Sequence, residues 1–407
     1  MMRKKTYLKY ISLKSIFYFC SLPLRLDSYR GCTHGCLYCF SERLNNRREG
    51  FRKNILSADS SHFSRLMASF NEGQKRGVIC SCLKRKVPIH FGCVSDPMQP
   101  VERVRRTTQR FLEILHLHQY PFVLCTKSNL IANEPYLNLF KESPCSIQVS
   151  FSTFKKSFAK AIEPGAASPL ARLRSLEKLA KEGVFTVARL QPFLYPIEKL
   201  TSKILRRLAD VGVKHVVLEH LRIPTNSSCK SRNLLWKALG KNMIVEYTRL
   251  GLRYSRVSYE LASETKINNI LFCRDEAHRL GMTFGAGDND FHHYSDYLCC
   301  CGVPKAPEFS NIYTGHIGSG VFRSMKKGKL SFGYLDNEWH PCGSIREHIN
   351  SDCRVSGCYT VLDLLKYKVQ NEGSNSPSSF YGVERKNDGT FIFNKALLPS
   401  FLKETQK

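Results

Sequence analysis

Short apolar runs alternate along the first half of the chain with longer stretches that carry apolar residues at intervals of three and four. The short runs are rich in β-branched and aromatic residues, which predicts strands. They lie at 87–94, 121–126, 146–151, 184–189 and 215–219. Amphipathic stretches at 103–117, 170–182 and 199–209 predict helices between them, and Gly183 and Gly212 are placed to end the last two.

The repeated order of strand and helix predicts an α/β fold with parallel strands, since parallel neighbours need a crossover between them. We interpret it as a partial (β/α)6 TIM-type barrel with a C-terminal Cys-rich extension. The expected regions are an N-terminal segment over 1–25, the barrel over 26–225 and the Cys-rich region over 226–407. Chemistry in such folds sits at the carboxyl ends of the strands.

Three further segments complete the pattern. The apolar run 15–24 predicts a strand that leads into the barrel, and the polar run 226–232 predicts a linker. Residues 273–287 predict a helix, a Gly stop and another strand. The sequence shows no segment long and apolar enough to span a membrane, so no membrane partner is expected.

Charge and cysteine content narrow the class of protein. The 407 residues include 62 Lys and Arg against 34 Asp and Glu, a formal charge of +28. Such an excess favours a polyanionic partner, with nucleic acid first, although a generally basic surface is the alternative. The 17 Cys occur in tight clusters in a chain too long for a disulfide scaffold, which predicts a reducing, cytoplasmic location.

Three of these cysteines, Cys32, Cys36 and Cys39, follow a C-x3-C-x2-C spacing, with Tyr38 just before the last thiol. Structural zinc sites and electron-carrying cubane clusters normally have four protein ligands. Three clustered thiols therefore predict a cluster with one open iron. The alternative is a zinc site completed by His34 or by a distant Cys.

The run from Leu26 to Cys39 resembles the cluster loop of radical S-adenosylmethionine (SAM) enzymes, in the branch similar to spore photoproduct lyase. The resemblance implies that the three Cys hold a 4Fe-4S cluster whose fourth iron binds SAM. It also implies reductive cleavage of SAM to methionine and a 5′-deoxyadenosyl radical, with electrons from an external donor such as flavodoxin or ferredoxin.

Further motifs extend the resemblance from about residue 15 to residue 224. The Gly92–Asp96 turn is similar to a stretch of the lyase in which a Cys returns a hydrogen atom to the product radical, so Cys93 is the candidate donor. A Glu-Pro-Gly turn at 163–165 also resembles this branch, and Ser168 with Pro169 predicts a capped helix start. A small buried core thiol is the alternative for Cys93.

The same resemblance implies a set of residues that contact the cofactor. Lys127 and Ser150 are the first choices for its carboxylate, because a charge in a dry barrel mouth needs a cation and neutral donors. Arg189 is a candidate for the same group or for a substrate phosphate. The full set of expected cofactor-binding residues is Tyr38, Ser95, Asp96, Lys127, Ser150, Ser152 and Arg189.

Two basic segments lie where a substrate would approach the barrel mouth. They are Arg43, Arg47, Arg48, Arg52 and Lys53 after the cluster loop, and Arg103, Arg105, Arg106 and Arg110 after the second main strand. Contacts from such residues to phosphates would be independent of sequence and sensitive to salt. Solvated helix faces are the alternative.

A second group of thiols lies in the last third of the chain. It consists of Cys299, Cys300, Cys301, Cys342, Cys353 and Cys358, preceded by His292 and His293. Such thiols predict a second iron–sulfur cluster or a zinc ion. Structural thiols, or reactive thiols near the active site, are the alternatives.

Three functions remain open from the sequence. The first is a radical SAM enzyme that acts on nucleic acid, by lesion repair or base modification. The second keeps the radical chemistry but acts on a peptide or a small metabolite. The third is a zinc-containing nucleic-acid-binding protein without radical chemistry.

Overall fold

A computed structural model provides the structure. It describes residues 6–14, 20–44, 50–71, 78–225, 229–254, 258–297, 299–324, 328–331, 357, 363, 367 and 382–397. The strands are β1 (Thr6–Tyr7), β2 (Ile11–Leu13), β3 (Leu24–Leu26), β4 (Tyr29–Arg30), β5 (Leu56–Ala58), β6 (Ile89–Phe91), β7 (Phe122–Thr126), β8 (Cys145–Phe151), β9 (Phe185–Phe193), β10 (His215–His220), β11 (Ile223–Pro224), β12 (Leu252–Tyr254), β13 (Ser258–Leu261), β14 (Thr283–Ala286), β15 (Glu384–Arg385) and β16 (Phe391–Ile392).

The helices lie mostly between these strands. They are α1 (Phe40–Leu44), α2 (Ser60–Asn71), α3 (Val78–Lys84), α4 (Glu102–Arg105), α5 (Thr107–Leu117), α6 (Tyr136–Lys141), α7 (Lys156–Ile162), α8 (Pro169–Lys181), α9 (Ser202–Asp210), α10 (Cys229–Leu239), α11 (Met243–Arg249), α12 (Ser263–Arg279) and α13 (Ile317–Arg323). Short 3-10 turns lie at Leu130–Ala132, Asn289–Tyr294, Pro307–Phe309 and Lys395–Leu397. Among the described residues, no helix is long and apolar enough to cross a membrane.

The main sheet has eight strands in the order β14-β10-β9-β8-β7-β6-β3-β2. All neighbours are parallel except β2 and β3. The predicted α/β fold with a parallel sheet is confirmed, and within the described residues the sheet is open and does not close into a barrel. It holds seven parallel strands, one more than the six predicted, because β14 pairs with β10. The sheet therefore continues past residue 225.

Alternate residues of each central strand face opposite sides of the sheet. Phe122 and Leu124 of β7 lie in the large apolar core together with Phe111 and Leu115 of α5. Cys125, the residue after Leu124, faces the opposite side of the sheet. It contacts polar side chains of β6 and β8. The helices thus cover one face of the sheet. The other face carries polar side chains and, at Val123, packs against a small apolar cluster with Leu22 and Phe309. We call this second face the inner face.

The predicted strands and most of the predicted helices are found. Ser168 caps α8 by accepting a hydrogen bond from the Ala171 amide at 3.2 Å, with Pro169 as the first helical residue. Gly183 and Gly212 have φ angles of +80° and +85°, in the region that favours glycine. The strand predicted over 15–24 is described only from residue 20, and β3 begins at Leu24.

Two predicted elements were wrong in detail. The single helix expected over 103–117 is two helices, α4 and α5, separated by Arg106 with φ of +51°. The break occurs because the buried Glu102 accepts hydrogen bonds from the amides of Thr108 at 3.0 Å and Gln109 at 2.9 Å, and so caps α5.

The second error concerns the linker predicted over 226–232. Residues 229–232 form the first turn of α10. This helix forms because Leu235 and Leu239 are buried in a second apolar cluster, which also contains Met243 and Tyr247 of α11. Leu37 and Tyr38 of the Cys loop pack against the same cluster.

Candidate cluster and cofactor site

The loop that carries the three predicted metal ligands connects β4 with α1, just beyond the carboxyl end of β3. Gly31 begins it with φ of +94°, and a Cβ there would lie 2.6 Å from the Phe51 carbonyl oxygen. The next amide, of Cys32, donates to the same oxygen at 3.1 Å. Glycine is therefore required at this position, and the turn after α1 supports the loop from outside.

His34 is not in position to act as a metal ligand. Its Nδ1 lies 2.9 Å from the carbonyl oxygen of Gly165, and its Nε2 lies 3.0 Å from Asp96 Oδ2. Both ring nitrogens thus face oxygen atoms. Gly165 donates its own amide to the His34 carbonyl at 2.9 Å, and a Cβ on Gly165 would lie 2.6 Å from the Thr33 carbonyl oxygen. The Glu-Pro-Gly turn consequently holds the Cys loop in close contact.

Asp96 links the Cys loop to the end of β7. Its Oδ1 accepts from the Thr126 hydroxyl at 2.7 Å and the Met98 amide at 2.9 Å, and its Oδ2 accepts from the Lys127 amide at 2.7 Å. Burial alone would raise its pKa, but His34 and these hydrogen bonds lower it below the usual value. Asp96 was predicted to contact the cofactor, and the structure places its oxygens against the protein itself.

The thiols of Cys32, Cys36 and Cys39 are in a setting suited to soft-metal binding. Cys36 is buried and the other two are partly exposed. Burial raises the pKa of Cys32 to about 12 and raises the pKa values of the other two as well. A bound cation is thus needed to hold them as thiolates.

Within the described part of the chain, no three His, Cys, Asp or Glu side chains surround a single ion position. Thiolates of a cubane cluster bind different irons, so this finding concerns single-ion sites. Three thiols, with His34 engaged elsewhere, are the donor set that a cluster with an open iron requires.

A buried polar network lies next to Cys36 and Cys39. The Tyr38 hydroxyl contacts Ser152 Oγ at 2.6 Å and donates to Glu163, which also accepts from Ser152 at 2.6 Å. Arg172 donates to the second oxygen of Glu163 and, at 2.5 Å, to the Ser150 carbonyl. Burial would raise the pKa of Glu163, but Arg172 and Lys127 lower it to about 2.

Lys127 carries a charge that this network balances only in part. Its Nζ is 3.8 Å from Glu163 Oε1 and 3.3 Å from the Gln191 carbonyl oxygen, and its side chain is 14% exposed. Two cations, Lys127 and Arg172, thus share one carboxylate. A ligand carboxylate beside Lys127 would neutralise the excess charge. Thr126 pairs with Val149, so Ser150 is next to Lys127 in register, and the Ser150 hydroxyl makes no hydrogen bond within the described part of the chain.

The turn after β6 holds Cys93 and Ser95 close to the start of the Cys loop. Asp27 Oδ1 accepts from the amides of Val94 at 2.8 Å and Ser95 at 3.1 Å, and the Ser95 hydroxyl donates to the Tyr29 carbonyl at 2.5 Å. The Cys93 thiol donates to the His90 carbonyl at 3.3 Å, and burial raises its pKa. Ser95 is therefore internally bonded, whereas Cys93 is a neutral thiol.

Arg189 lies on the inner face of the sheet. Its guanidinium donates to Gln191 Oε1 at 2.8 Å, to Gln148 Oε1 at 2.8 Å and to Cys301 Sγ at 3.7 Å. Gln191 in turn donates to Glu219 Oε2 at 2.5 Å. These contacts are all within the protein, so the structure gives Arg189 a structural environment where the sequence predicted a cofactor or phosphate contact.

The segment Cys299–Cys301 fills part of this inner face. The Cys301 carbonyl accepts from Gln148 Nε2 at 2.7 Å, and the Cys300 carbonyl lies 3.0 Å from His215 Nε2. The Cys301 thiol is hydrogen-bonded to the thiols of Cys299 and Cys300, and all three are free of disulfides. Cys342, Cys353 and Cys358 lie outside the described residues, so the second metal site stays a prediction.

The basic segments meet at one surface. Arg105 Nη1 donates to the Ile55 carbonyl at 2.5 Å, which joins α4 to the turn after α1. Arg52, Lys53, Arg103, Arg106 and Arg110 are exposed around this contact, and Arg52 pairs with Glu42 at 2.6 Å. Arg47 and Arg48 lie outside the described residues, and the structure does not describe the side chain of Arg43.

Sequence reasoning missed several residues of the site. Glu163 and Arg172 form the centre of the polar network, and only the turn that contains Glu163 was noticed. The signal available was the pairing of Glu163 with an Arg one helical turn into α8. Gln148 and Glu219 were also missed. Both alternate with apolar residues along their strands, as polar residues of any strand do, so the pattern does not distinguish them.

Comparison with known proteins finds a distantly related sequence. No family model matches the chain. An uncharacterized protein, ORF301 of Acidianus two-tailed virus, is 25% identical over 214 residues, which are 51% of this chain and 70% of that protein.

Two solved structures show a likeness in fold. Spore photoproduct lyase complexed with dinucleoside spore photoproduct is 15% identical with a TM-score of 0.49, over 67% of this chain and 78% of that one. Streptococcus suis SuiB bound to S-adenosylmethionine is 12% identical with a TM-score of 0.36, over 51% of this chain and 42% of that one.

Proposed function

We propose that this protein is a radical SAM enzyme that acts on nucleic acid. Cys32, Cys36 and Cys39 would hold a 4Fe-4S cluster, and Lys127 and Ser150 would bind the carboxylate of SAM. When bound, the reduced cluster supplies the electron that cleaves SAM to methionine and a 5′-deoxyadenosyl radical. The residues of the chain position the cofactor, keep water out and return a hydrogen atom.

The observation that carries this proposal is that both ring nitrogens of His34 contact oxygen atoms of other residues. The imidazole is held by Gly165 and Asp96 and is not directed at the thiols, so the zinc site completed by His34 is not supported. The loop then offers three ligands, which suits an iron–sulfur cluster with an open position better than a closed zinc site. The incompletely balanced charge of Lys127 lies close to the loop, over the Tyr38 ring at 5.8 Å.

We assign to Cys93 the return of a hydrogen atom to the substrate radical. Burial of most of its side chain raises the pKa of the Cys93 thiol, which keeps it protonated, as a hydrogen donor must be. In the proposed step the S–H bond of Cys93 breaks homolytically and a C–H bond forms on the substrate radical. Tyr38, Ser152 and Glu163 act as positioning residues, because their contacts are with one another and with Lys127.

The nucleic-acid substrate is proposed from charge. An excess of 28 positive charges raises the local concentration of polyanions and makes binding depend on salt. The chain after residue 225 contributes β14 and the segment Cys299–Cys301 to the main sheet, so it would help to shape the substrate space. A reducing cytoplasm would keep the thiols free and supply the electron donor.

Anaerobic reconstitution with iron and sulfide tests the chemistry. We expect a brown protein that, once reduced, releases 5′-deoxyadenosine from SAM, and a Cys36→Ala control that does neither. A colourless protein with stoichiometric zinc would contradict the cluster and support the zinc protein.

Substrate choice needs a separate test in the same preparation. SAM cleavage is compared with intact DNA, irradiated DNA and RNA at low salt. Faster cleavage or loss of lesions with irradiated DNA alone would indicate repair, and faster cleavage with intact DNA or RNA would indicate base modification. Absence of binding to any of the three at low salt would favour the alternative, a peptide or a small metabolite.

A further inference from the structure

A second polar site lies at the carboxyl end of β10. It consists of Glu219, the last residue but one of β10, and Arg222, which precedes β11. Resting on the proposed function, we infer that Arg222 and Glu219 read the edge of a nucleobase that carries a ring N–H next to a carbonyl group. Thymine, uracil and guanine have such an edge, whereas adenine and cytosine have no ring N–H there.

Arg222 has hydrogen-bond donors that no group of the protein uses. Its Nε is buried without a hydrogen-bond partner, and Glu260 Oε2, with which it forms an ion pair, is 3.9 Å away. Within the described part of the chain the whole guanidinium makes no hydrogen bond, and the side chain is 28% exposed. A guanidinium offers five donors, and leaving buried donors unpaired is costly. The free donors therefore favour a ligand that brings an acceptor.

The other cations near Arg222 already have partners. Lys266 Nζ lies 2.9 Å from Glu260 Oε2 and 3.3 Å from Asp288 Oδ1. Arg253 donates to Asp290 Oδ2. These pairs hold the carboxylates in place, so Arg222 keeps their attraction without being bound by them.

The surrounding charge selects a neutral ligand group. Burial would lower the pKa of Arg222, but four carboxyl groups raise it above the usual value, namely Glu260, Glu219, Asp288 and Asp290. These carboxyl groups would repel a phosphate, whereas a carbonyl oxygen can accept from the guanidinium and carries no net charge. The site therefore fits a base and not the backbone of a nucleic acid.

Glu219 supplies the acceptor for the ring N–H. Its Oε2 accepts from Gln191 Nε2 at 2.5 Å, and among the described residues its Oε1 makes no hydrogen bond. Burial raises the pKa of Glu219 to about 7, and Arg222 opposes this rise. Both the ionised and the protonated carboxyl group can accept from an N–H group. Glu219 and Arg222 thus offer an acceptor and a set of donors side by side.

Gln191 connects Glu219 to the proposed cofactor site. Its side chain donates to Glu219, and its carbonyl oxygen accepts from Lys127 Nζ at 3.3 Å. Lys127 is the residue proposed to bind the carboxylate of SAM, so a single residue separates Glu219 from that contact. A base held by Glu219 would lie beside the cofactor that generates the radical.

Arg222 is anchored to the Cys loop by its two chain neighbours. Leu221 and Ile223 are buried in the second apolar cluster, against which Tyr38 packs. A backbone fixed on both sides limits the positions that the guanidinium can take, and recognition of one particular edge requires such a fixed donor.

The test compares single strands of equal length and charge that differ only in their bases. The full chain is titrated, by fluorescence anisotropy, with labelled oligothymidylate, oligodeoxyadenylate and oligodeoxycytidylate. A fourth strand is oligothymidylate methylated at every N3, which lacks the N–H and keeps both carbonyls. The variants are Arg222→Met and Glu219→Met, with urea denaturation to check that each folds.

The matched control is Arg249→Met, which removes the same charge. Arg249 lies on α11 with its side chain 72% exposed, and its Nη1 is 3.6 Å from Glu246 Oε1. This substitution should change affinity for all four strands by the same small factor, because a surface charge does not distinguish bases.

We expect the wild type to bind oligothymidylate about tenfold or more tightly than each of the other three strands. Arg222→Met and Glu219→Met should each reduce this preference to about threefold or less, because one half of the recognition pair is then missing. The methylated strand tests the N–H without any change in the protein.

Equal affinity of the wild type for all four strands would overturn the inference and leave nucleic-acid binding intact. A preference that survives both substitutions would also overturn it. Loss of SAM affinity in Arg222→Met, measured by calorimetry on the reconstituted protein, would assign the pair to the cofactor instead. Absence of binding to every strand at low salt would contradict the proposed nucleic-acid substrate, and this inference with it.

Discussion

His34 Nε2 lies 3.0 Å from Asp96 Oδ2, with both side chains almost fully buried, so the Cys loop and the turn after β6 are joined at their centre. The carboxylate also accepts from three other donors, at Met98, Thr126 and Lys127. One acidic residue therefore orders the loop that carries the thiols and the strand end that carries Lys127.

Asp96→Asn should disturb both partners at once. An amide offers one oxygen and places an NH2 group against donors, so hydrogen bonds are lost inside the protein. We expect a loss of about 3–5 kcal/mol in the free energy of unfolding, measured by urea denaturation. The iron content after reconstitution and desalting should fall as well. Asp210→Asn, at the exposed end of α9, is the matched control and should change neither. Wild-type iron content and stability in the Asp96 variant would show that this contact does not order the loop.

Arg172→Met should destabilise the network beside the Cys loop. It leaves Glu163 buried with only Lys127, 3.8 Å away, as a cationic partner. Loss of one member of a buried pair costs about 3–5 kcal/mol of unfolding free energy. Adding Glu163→Gln should restore part of that loss, because the uncompensated carboxylate is then gone.

The control for Arg172 lies on the same helix. Lys181 pairs with Glu177 at 2.7 Å on the solvent side of α8. Lys181→Met should leave the urea midpoint almost unchanged, since exposed pairs are screened by solvent. Equal effects of Arg172→Met and Lys181→Met would mean that the buried network contributes little.

The sequence predicted the central strands because their signal is local. Each is a short apolar run, and the helices between them have their own caps and stops, such as Ser168 and Gly183. The break between α4 and α5 could not be predicted in the same way. It depends on Glu102 turning its carboxylate back onto the next helix while Tyr29 and Tyr136 bury it.

The site shows a sharper limit of sequence reasoning. The spacing of Cys32, Cys36 and Cys39 is local and predicts the metal site directly. The environment of Arg189 depends on Gln148 and on Cys301, which is 112 residues further along the chain. No periodicity or motif shows that the Cys299–Cys301 segment returns to the inner face of the sheet. Contacts of that range are set by the packing of the whole domain.

Cys93→Ala should separate cofactor cleavage from hydrogen return. Cys93 contacts the His90 carbonyl at 3.3 Å and, among the described residues, makes no hydrogen bond with the network around Lys127 that would bind SAM. We therefore expect SAM cleavage at the wild-type rate, with a stability cost of about 1 kcal/mol for the lost sulfur. In D2O, whose deuterium exchanges onto thiols, the wild-type product should carry deuterium at the reacting carbon, and the variant product should not.

Cys125→Ala is the matched control for Cys93. Cys125 is another thiol on the inner face, 3.0 Å from His90 Nε2 and 3.2 Å from Gln148 Oε1. It lies within the strand and not at the turn that faces the Cys loop. Its variant should keep the deuterium label, measured by mass spectrometry of the product. Deuterium in the product of the Cys93 variant would exclude Cys93 as the donor.

Buried histidines should make the protein sensitive to mild acid. Burial and the nearby Lys14 lower the pKa of His90 to about 3, and burial lowers the pKa of His215 to about 4. His292, His293 and His316 are shifted in the same direction. Because an unfolded His has a pKa of about 6.5, the unfolded chain binds more protons than the folded chain between that pH and about 4. Stability must fall as the pH falls through this window.

Three buried carboxyl groups oppose this trend. Burial raises the pKa of Asp27 to about 6 and that of Glu219 to about 7, and it also raises the pKa of Asp290, so protonation of these groups favours the folded state. Five buried histidines against three carboxyl groups leave a net loss of stability below about pH 6.5. Urea midpoints should thus be constant near neutral pH and should decrease steadily toward about pH 5.

His215→Gln tests the origin of this acid sensitivity. Nε2 of His215 lies 3.0 Å from the Cys300 carbonyl, and a glutamine amide can donate to the same oxygen without titrating. The dependence of unfolding free energy on pH should become shallower by up to about 1.4 kcal/mol per pH unit. His116→Gln, a partly exposed His of α5, serves as the control and should keep the wild-type slope. A slope that His215→Gln leaves unchanged would place the acid sensitivity in other groups.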